Sequence, residues 1–177
     1  LTKRKRVSHA IKAVAGATPR VSFLSRRPAP HLDIFGDGER RAILERVVAQ
    51  ARPTPSVTFH GYVDDAAARL REASFSLLTS KSEGQPLAII ESMAAGCIPI
   101  SYDIPYGPAD VITHGVDGYL VREGDLDAMA RHVRTIAASS PAELAPLRRA
   151  AFRRAQDFAD ERITARWAEI MTTTLEN

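Results

Sequence analysis

The sequence predicts an α/β fold in which helices cover both faces of a mostly parallel sheet. Short runs rich in β-branched and aromatic residues alternate with longer segments of helical period, which is the pattern of repeated strand–helix units. The chain has 177 residues, 45% of them apolar and 25% charged, and this length and composition suit one domain that buries its own core. We therefore expect a single three-layer α/β/α domain over residues 1–177.

Five segments are predicted to be strands because they are short, apolar and bounded by turn residues. They are His31–Phe35, Val57–His60, Phe75–Thr79, Ile98–Tyr102 and a short edge candidate, Tyr119–Val121. Residues 21–25 (VSFLS) have the composition of a further strand, but the flanking Pro and Arg residues favour an irregular connection.

The helices are predicted from residues that start and stop them. Their expected extents are the Gly36–Gly38 turn to about Ala51, Asp65 to about Ala73, Pro86 to Gly96, Gly107 to Gly115, and Asp125 to about Ala138. Ser140 and Glu143 form a capping box, and Asp160 begins a last helix. These two helices, at 140–177, leave the strand–helix alternation, which suggests a tail that wraps over another body. Trp167 is expected to pack in the core.

Charge and cysteine usage exclude several classes of function. The net charge is +3, but the basic residues cluster only at 3–6 and 148–154, without the interleaved aromatic residues of a single-strand binding groove. We therefore expect no nucleic-acid partner and a solvated basic helix face at 148–154. The one cysteine, Cys97, is expected to be a buried structural thiol, and a lone cysteine suits a reducing, cytoplasmic setting.

No metal ion or other cofactor is expected. The five histidines lack the spacing of metal ligands, and the sequence has no D-x-D carboxylate pair for a cation. No apolar run approaches the roughly 20 residues of a transmembrane helix, so no membrane span is expected.

The segment from Phe75 to Gly96 has the pattern of a ligand site. A strand, a polar loop and a helix beginning at Pro86 or Leu87 place a helix N-terminus at the carboxyl end of a parallel strand, where anions bind. Glu83 precedes the helix and Glu91 lies about one turn inside it, so the two would flank an anion. A carboxylate beside a bound diphosphate is repelled by it unless hydroxyl groups donate hydrogen bonds to the carboxylate. A nucleotide diphosphate sugar has such hydroxyls on both sides of its diphosphate. From spacing alone, a first-turn carboxylate and a solvent-facing glutamate remain the simpler interpretation.

The run from Ser80 to Ile100 resembles the E-x7-E signature of retaining nucleotide-sugar glycosyltransferases of the GT-B fold, of the group 1 or family-four type. Other blocks extend the resemblance, in the family's order, to nearly the whole chain: Leu32–Gly38, Val57–Asp65, Asp103–Ile112, Gly115–Val121 and Phe158–Trp167. The Asp103–Ile112 block looks most like bacterial members that glycosylate cell-wall or surface polymers such as teichoic acids. The resemblance implies a Rossmann-like, C-terminal donor-binding domain, half of a GT-B fold, with the N-terminal acceptor domain absent from this chain.

The resemblance also implies roles for individual residues. Glu83 matches the catalytic glutamate that contacts hydroxyls of the transferred sugar, and Glu91 matches the one that binds the ribose. Ser80 matches a family serine in the donor site. The stretch beside the donor sugar and diphosphate is matched by Gly84, Gln85, Pro86 and Leu87, and the segment beside the base by Gly61, Tyr62 and Val63. Gln85 and Pro86 replace the usual Phe and Gly, and Pro86 has no N–H to give to a phosphate.

At the amino-terminal end, Leu1 and Lys5 match a family Leu and the Lys that neutralises the diphosphate. The family's Arg, and the strand before it, would lie upstream of residue 1. Lys3, Arg4 and Arg6 are expected to be solvated.

Together these expectations describe a donor domain for sugar transfer from a UDP- or GDP-sugar to a glycan or polyol-type acceptor bound through the other domain. The isolated domain would be inactive, and the full-length protein would be cytoplasmic, peripheral to the inner face of the membrane. The alternatives are a fragment of a nucleotide-sugar epimerase or a phosphorylase, and a non-catalytic module of this fold that binds a partner.

Overall fold

Five strands and eight helices make up the described part of the chain, residues 1–19 and 29–175 of a computed structural model. The candidate strand at 21–25 lies outside these residues. In chain order the elements are α1 Val7–Ala17, β1 His31–Phe35, α2 Arg41–Gln50, β2 Ser56–Gly61, α3 Ala66–Glu72, β3 Phe75–Leu78, α4 Leu87–Ala94, β4 Ile98–Asp103, α5 Pro108–Val111, β5 Tyr119–Arg122, α6 Leu126–Ala138, α7 Pro141–Gln156 and α8 Asp160–Leu175. The five expected strands are confirmed to within a residue or two at each end. Helix α1 was not foreseen.

Every strand pair is parallel, as expected, but the pairs form two sheets. One contains β1 and β2, and the other has the order β3–β4–β5. The central strand β4 is buried along most of its length. A cleft of about 800 Å³ separates the facing edges of β1 and β3, and Leu1, Lys5 and Val7 also line it.

Helices pack on both sides of the strands and form the three layers. On one side Ile11 and Val14 of α1 lie in the same buried cluster as Met129 and Val133 of α6, together with Leu32, Ile34, Ile98 and Ile100 of the strands. A second cluster joins α4 to α7 through Ile89, Met93, Ala151 and Ala155. The predicted α/β/α class is therefore confirmed.

Several predicted helix caps are present. The Asp65 carboxylate accepts the amide of Ala68 at 2.9 Å, and that of Asp125 accepts the amide of Ala128 at 2.8 Å. Ser140 and Glu143 form the expected capping box at α7. By contrast Arg6, the residue before α1, gives no side-chain cap, which removes the usual sequence signal for the start of that helix.

The basic stretch at 148–154 is not a uniformly solvated face, contrary to expectation. Arg148 donates to the carbonyl oxygens of Gly96 and Ala73, both at 2.8 Å. Arg154 donates to those of Val111 and Asp110, at 2.9 and 2.7 Å. These guanidinium groups satisfy carbonyls at helix ends and in loops, so α7 is fixed to the body rather than leaving it.

Helix α8 presents its apolar face to solvent in the described part of the chain. Trp167 is 62% exposed, and Ile163, Ile170 and Met171 beside it are exposed as well. The expectation that Trp167 packs in the core is therefore wrong, because no described element covers the apolar stripe of this helix. None of the described helices is both long enough and apolar enough to cross a bilayer.

Candidate functional site

Residues 1–6 bridge the carboxyl ends of the two sheets. The backbone nitrogen of Leu1 donates to the carbonyl oxygen of Asp37, just beyond β1. The hydroxyl of Thr79, at the end of β3, donates to the carbonyls of Lys5 and Arg6 at 3.0 and 3.1 Å, and the Lys81 amide donates to the Arg4 carbonyl at 2.9 Å. These bonds fix the basic segment over the edge of the sheet where ligands of parallel α/β folds bind.

That anchorage brings the Lys5 ammonium to 2.8 Å from Glu83 Oε1. The Glu83 side chain is only 9% exposed, whereas that of Lys5 is 42% exposed. Burial by itself raises the pKa of Glu83, but the Lys5 ammonium, the nearby Ser80 hydroxyl and the charge of Arg4 more than offset this and lower it below its usual value. Glu83 is therefore an ionised carboxylate near neutral pH, and Lys5 can still reach solvent.

The Ser80 hydroxyl is the one buried side-chain polar atom without a hydrogen-bond partner among the residues that the structure describes. Ser80 is 1% exposed. Its oxygen is close enough to Glu83 to favour the charged carboxylate, yet the two do not reach hydrogen-bond geometry. A buried, unpaired hydroxyl costs free energy, and a ligand that supplies the missing partner would explain it.

The first turn of α4 offers free backbone donors. Pro86 is the N-cap residue, and the amide of Ile89 donates back to its carbonyl at 2.8 Å. The amides of Gly84, Gln85 and Ala88 have no hydrogen-bond partner within the described ranges. Although Pro86 has no N–H of its own, three neighbouring donors remain for an anion at this helix end.

Glu91 lies on the exposed side of α4 and lines the same cleft as Lys5 and Ser80. Its side-chain carboxylate makes no hydrogen bond or ion pair to any residue that the structure describes. Its carboxylate is available to hydroxyl donors, whereas that of Glu83 already has a cationic partner.

Gly61, Tyr62 and Val63 lie at the carboxyl end of β2. Gly61 has φ +73° and its carbonyl accepts the Gly36 amide at 2.6 Å, which joins the ends of β1 and β2. Tyr62 follows with 81% of its surface exposed. Since Leu1 contacts Asp37 beside this strand end, the basic segment links the Gly61–Val63 stretch to the Glu83 loop.

The anchoring contacts were missed from the sequence, and Arg6 differs from expectation. Arg6 is paired with Glu123 at 2.5 Å instead of being solvated. Thr79 and Lys81 act through hydrogen bonds to the backbone of residues 4–6, which no motif encodes.

Within the described ranges no group of three or more His, Cys, Asp or Glu side chains could hold a metal ion, and the absence of a metal from the reaction stays a prediction. Burial raises the pKa of the Cys97 thiol, as in an inert structural cysteine.

Comparison with known families gives one match over most of the chain. Residues 1–156 match the family described as glycosyl transferases group 1. An exopolysaccharide phosphotransferase of Streptomyces coelicolor is 32% identical over 97% of this chain and 18% of its own length. A poly(glycerol-phosphate) alpha-glucosyltransferase of Bacillus subtilis is 26% identical over 75% of this chain and 19% of its own length. The chain thus spans about a fifth of these relatives.

Solved structures share the fold. HepE of Anabaena, in complex with UDP, superposes with a TM-score of 0.83 at 21% identity, over 98% of this chain and 46% of that one. TarM of Staphylococcus aureus, in a complex that includes UDP, gives a TM-score of 0.83 at 22% identity, over 96% of this chain and 33% of that one. At these identities the likeness concerns the fold alone.

Proposed function

This chain belongs to the group 1 glycosyl transferases, and we propose that it is the donor-binding half of a retaining enzyme of the GT-B fold. It binds a nucleotide diphosphate sugar at the carboxyl edge of the two sheets. The sugar passes to an acceptor hydroxyl held through another part of the full-length protein. The isolated chain binds donor and does not transfer sugar.

The observation that carries this proposal is the cluster of Lys5, Glu83 and Ser80 beside the first turn of α4. It combines a cation that reaches solvent, a buried carboxylate and an orphaned hydroxyl with the free amides of Gly84 and Gln85. The cation and the amides can bind the negatively charged oxygens of a diphosphate, and the carboxylate can accept hydrogen bonds from sugar hydroxyls. A nucleotide sugar contains both kinds of group.

In the mechanism, Lys5 has two partners in turn. In the free chain it neutralises Glu83, and on donor binding its ammonium turns to the diphosphate. Glu83 then accepts hydrogen bonds from the transferred sugar and orients it. As the bond to the anomeric carbon breaks, negative charge grows on the departing diphosphate, where Lys5 and the amides at the start of α4 stabilise it.

At the other end of the donor, Glu91 accepts hydrogen bonds from the ribose hydroxyls, and the Gly61–Val63 stretch contacts the base. UDP is favoured over GDP because HepE and TarM were each solved with UDP. These contacts bind without reacting, so they set affinity more than the rate of the chemical step.

The acceptor is a glycan or a polyol phosphate polymer of a bacterial surface, by analogy with the Bacillus subtilis relative, whose name specifies poly(glycerol-phosphate). We place the full-length protein in the cytoplasm, peripheral to the inner face of the membrane.

The test uses the full-length protein with UDP-glucose as the donor and poly(glycerol phosphate) as the acceptor. Glu83→Gln should lower kcat by about 100-fold or more, since it removes charge from the reacting centre. The matched control is Glu169→Gln on the exposed helix α8. Wild-type rates in Glu83→Gln would contradict the role of Glu83, and a product of inverted anomeric configuration would contradict retention.

A further inference from the structure

Tyr106 is an exposed aromatic residue held in an unfavourable backbone conformation. It lies between β4 and α5, is 84% exposed, and has φ +64°, in the left-handed region that residues other than glycine rarely adopt. Such a conformation is strained and persists only where the surrounding structure holds it. The exposed ring gains little packing in return, so the described fold alone gives no reason to present a tyrosine in this way.

The segment that carries Tyr106 is fixed on both sides. Ile104 before it is buried, as is Pro108 after it. The Gly107 amide donates to Asp110 Oδ2 at 3.1 Å. The base of the loop is therefore rigid while the ring is free.

This loop also packs on the start of α4. A Cβ atom placed on Gly107, which has φ +100°, would lie 3.0 Å from Pro86 Cδ and 3.9 Å from the Gly84 carbonyl oxygen. Gly107 is thus in close contact with the stretch from Gly84 to Leu87. Tyr106, one residue earlier, is held beside the part of the site proposed for the donor sugar and diphosphate.

Two tyrosines therefore flank the site at the carboxyl edge. Tyr62 follows β2 and is 81% exposed, and Tyr106 follows β4. A tyrosine ring has a flat apolar face that packs on a base or on the C–H face of a pyranose. Tyr62 belongs to the base end of the proposed donor, whereas the contact of Gly107 with Pro86 puts Tyr106 near the stretch proposed for the sugar end.

We infer that Tyr106 is a specificity-determining residue whose ring stacks on the transferred sugar of the donor. This inference rests on the proposed function, because it needs a nucleotide sugar in the site. The ring provides the contact, while the hydroxyl plays no part.

The test is calorimetric titration of the 177-residue chain with UDP and with UDP-glucose, UDP-galactose and UDP-N-acetylglucosamine. Tyr106→Ala should leave the Kd for UDP unchanged and weaken the best UDP-sugar by about 3- to 10-fold. Tyr106→Phe should bind like the wild type. Tyr106→Gly removes the strain of the left-handed backbone conformation, so it should raise the melting temperature. It should nevertheless weaken the binding of the UDP-sugar as much as Tyr106→Ala does. A purely structural role of Tyr106 would not combine higher stability with weaker sugar binding.

Two further variants separate the possible origins of an effect. Tyr62→Ala should weaken UDP and UDP-sugar equally, and Phe152→Ala, 48% exposed on α7, should change neither. The inference is wrong if Tyr106→Ala weakens UDP as much as UDP-sugar or changes neither. It is also wrong if Tyr106→Phe behaves like Tyr106→Ala, or if no UDP-sugar binds more tightly than UDP. Failure of the proposed function differs from all of these, because then the wild type binds no nucleotide.

Discussion

Lys5 and Glu83 form an ion pair of 2.8 Å across 78 residues of sequence. The cation proposed for the diphosphate and the carboxylate proposed for the sugar thus neutralise each other in the free chain. The pair keeps a buried carboxylate compensated until a ligand arrives, and it links donor binding to a change of partner at Lys5.

The first prediction concerns the pH dependence of this pair. The pKa of Glu83 is below its usual value of 4.5 in the folded chain, so the pair stabilises the fold above that value and the stabilisation is lost as the pH falls through the folded pKa. Lys5→Met should lower the free energy of unfolding by about 1 kcal/mol at pH 7, after allowance for the partial exposure of Lys5. The difference should shrink as the pH falls through the folded pKa of Glu83. Urea unfolding at pH 7 and at a series of pH values below 4.5 measures it.

The control is Lys3→Met, which removes an exposed lysine with no ion-pair partner among the described residues. It should change the stability little at any pH. An equal loss in both lysine variants, or a Lys5→Met loss that does not decline as the pH falls below 4.5, would mean that the pair is not its source.

The sequence predicted the strands well because each is short, largely apolar and bounded by turn residues such as Gly, Pro, Ser or Asp, and these signals are local. Glu83, Glu91 and Lys5 were singled out because they lie in motifs; the structure pairs Lys5 with Glu83 and lines one cleft with Lys5 and Glu91, and their roles stay predictions. The contacts were not predictable: Thr79 and Lys81 hold residues 4–6 through backbone carbonyls, and Arg6 pairs with Glu123 from a distant loop. Helix α1 has a visible apolar spacing at Ala10, Ile11 and Val14 but no N-cap signal.

A second prediction concerns the contact between the Tyr106 loop and α4. Gly107→Ala should lower the free energy of unfolding by about 1 to 2 kcal/mol, because a Cβ at φ +100° is strained and meets Pro86 at 3.0 Å. Gly84→Ala is the matched control, since its Cβ would meet nothing within 4 Å. Thermal unfolding of the two variants compares them, and equal melting temperatures would show that the loop is not packed on Pro86.

A third prediction compares adjacent arginines of α7. Arg148→Ala should destabilise the chain by about 1 to 2 kcal/mol, because it leaves the carbonyls of Gly96 and Ala73 without their donor. Arg149→Ala, at an exposed position without an ion-pair partner in the described residues, should change stability by less than about 0.5 kcal/mol. Chemical denaturation distinguishes them, and similar losses at both positions would contradict a bridging role for Arg148.

A fourth prediction uses the single tryptophan. Trp167 is 62% exposed on α8, so its fluorescence should resemble that of an indole in water and be quenched readily by iodide. Unfolding in urea should hardly change its emission wavelength. A blue-shifted emission that resists quenching would show that the apolar face of α8 is covered in solution.

The central claim is that the nucleotide diphosphate donor binds at the carboxyl edge of the sheets, beside Lys5, Glu83 and Glu91. Calorimetric titration of the chain with UDP tests this claim most directly. We predict measurable binding to the wild type, strongly weakened in Lys5→Met and in Glu91→Ala, and unchanged in Lys3→Met and Glu169→Ala. No detectable heat at millimolar UDP, or binding that both Lys5→Met and Glu91→Ala leave intact, would contradict the claim.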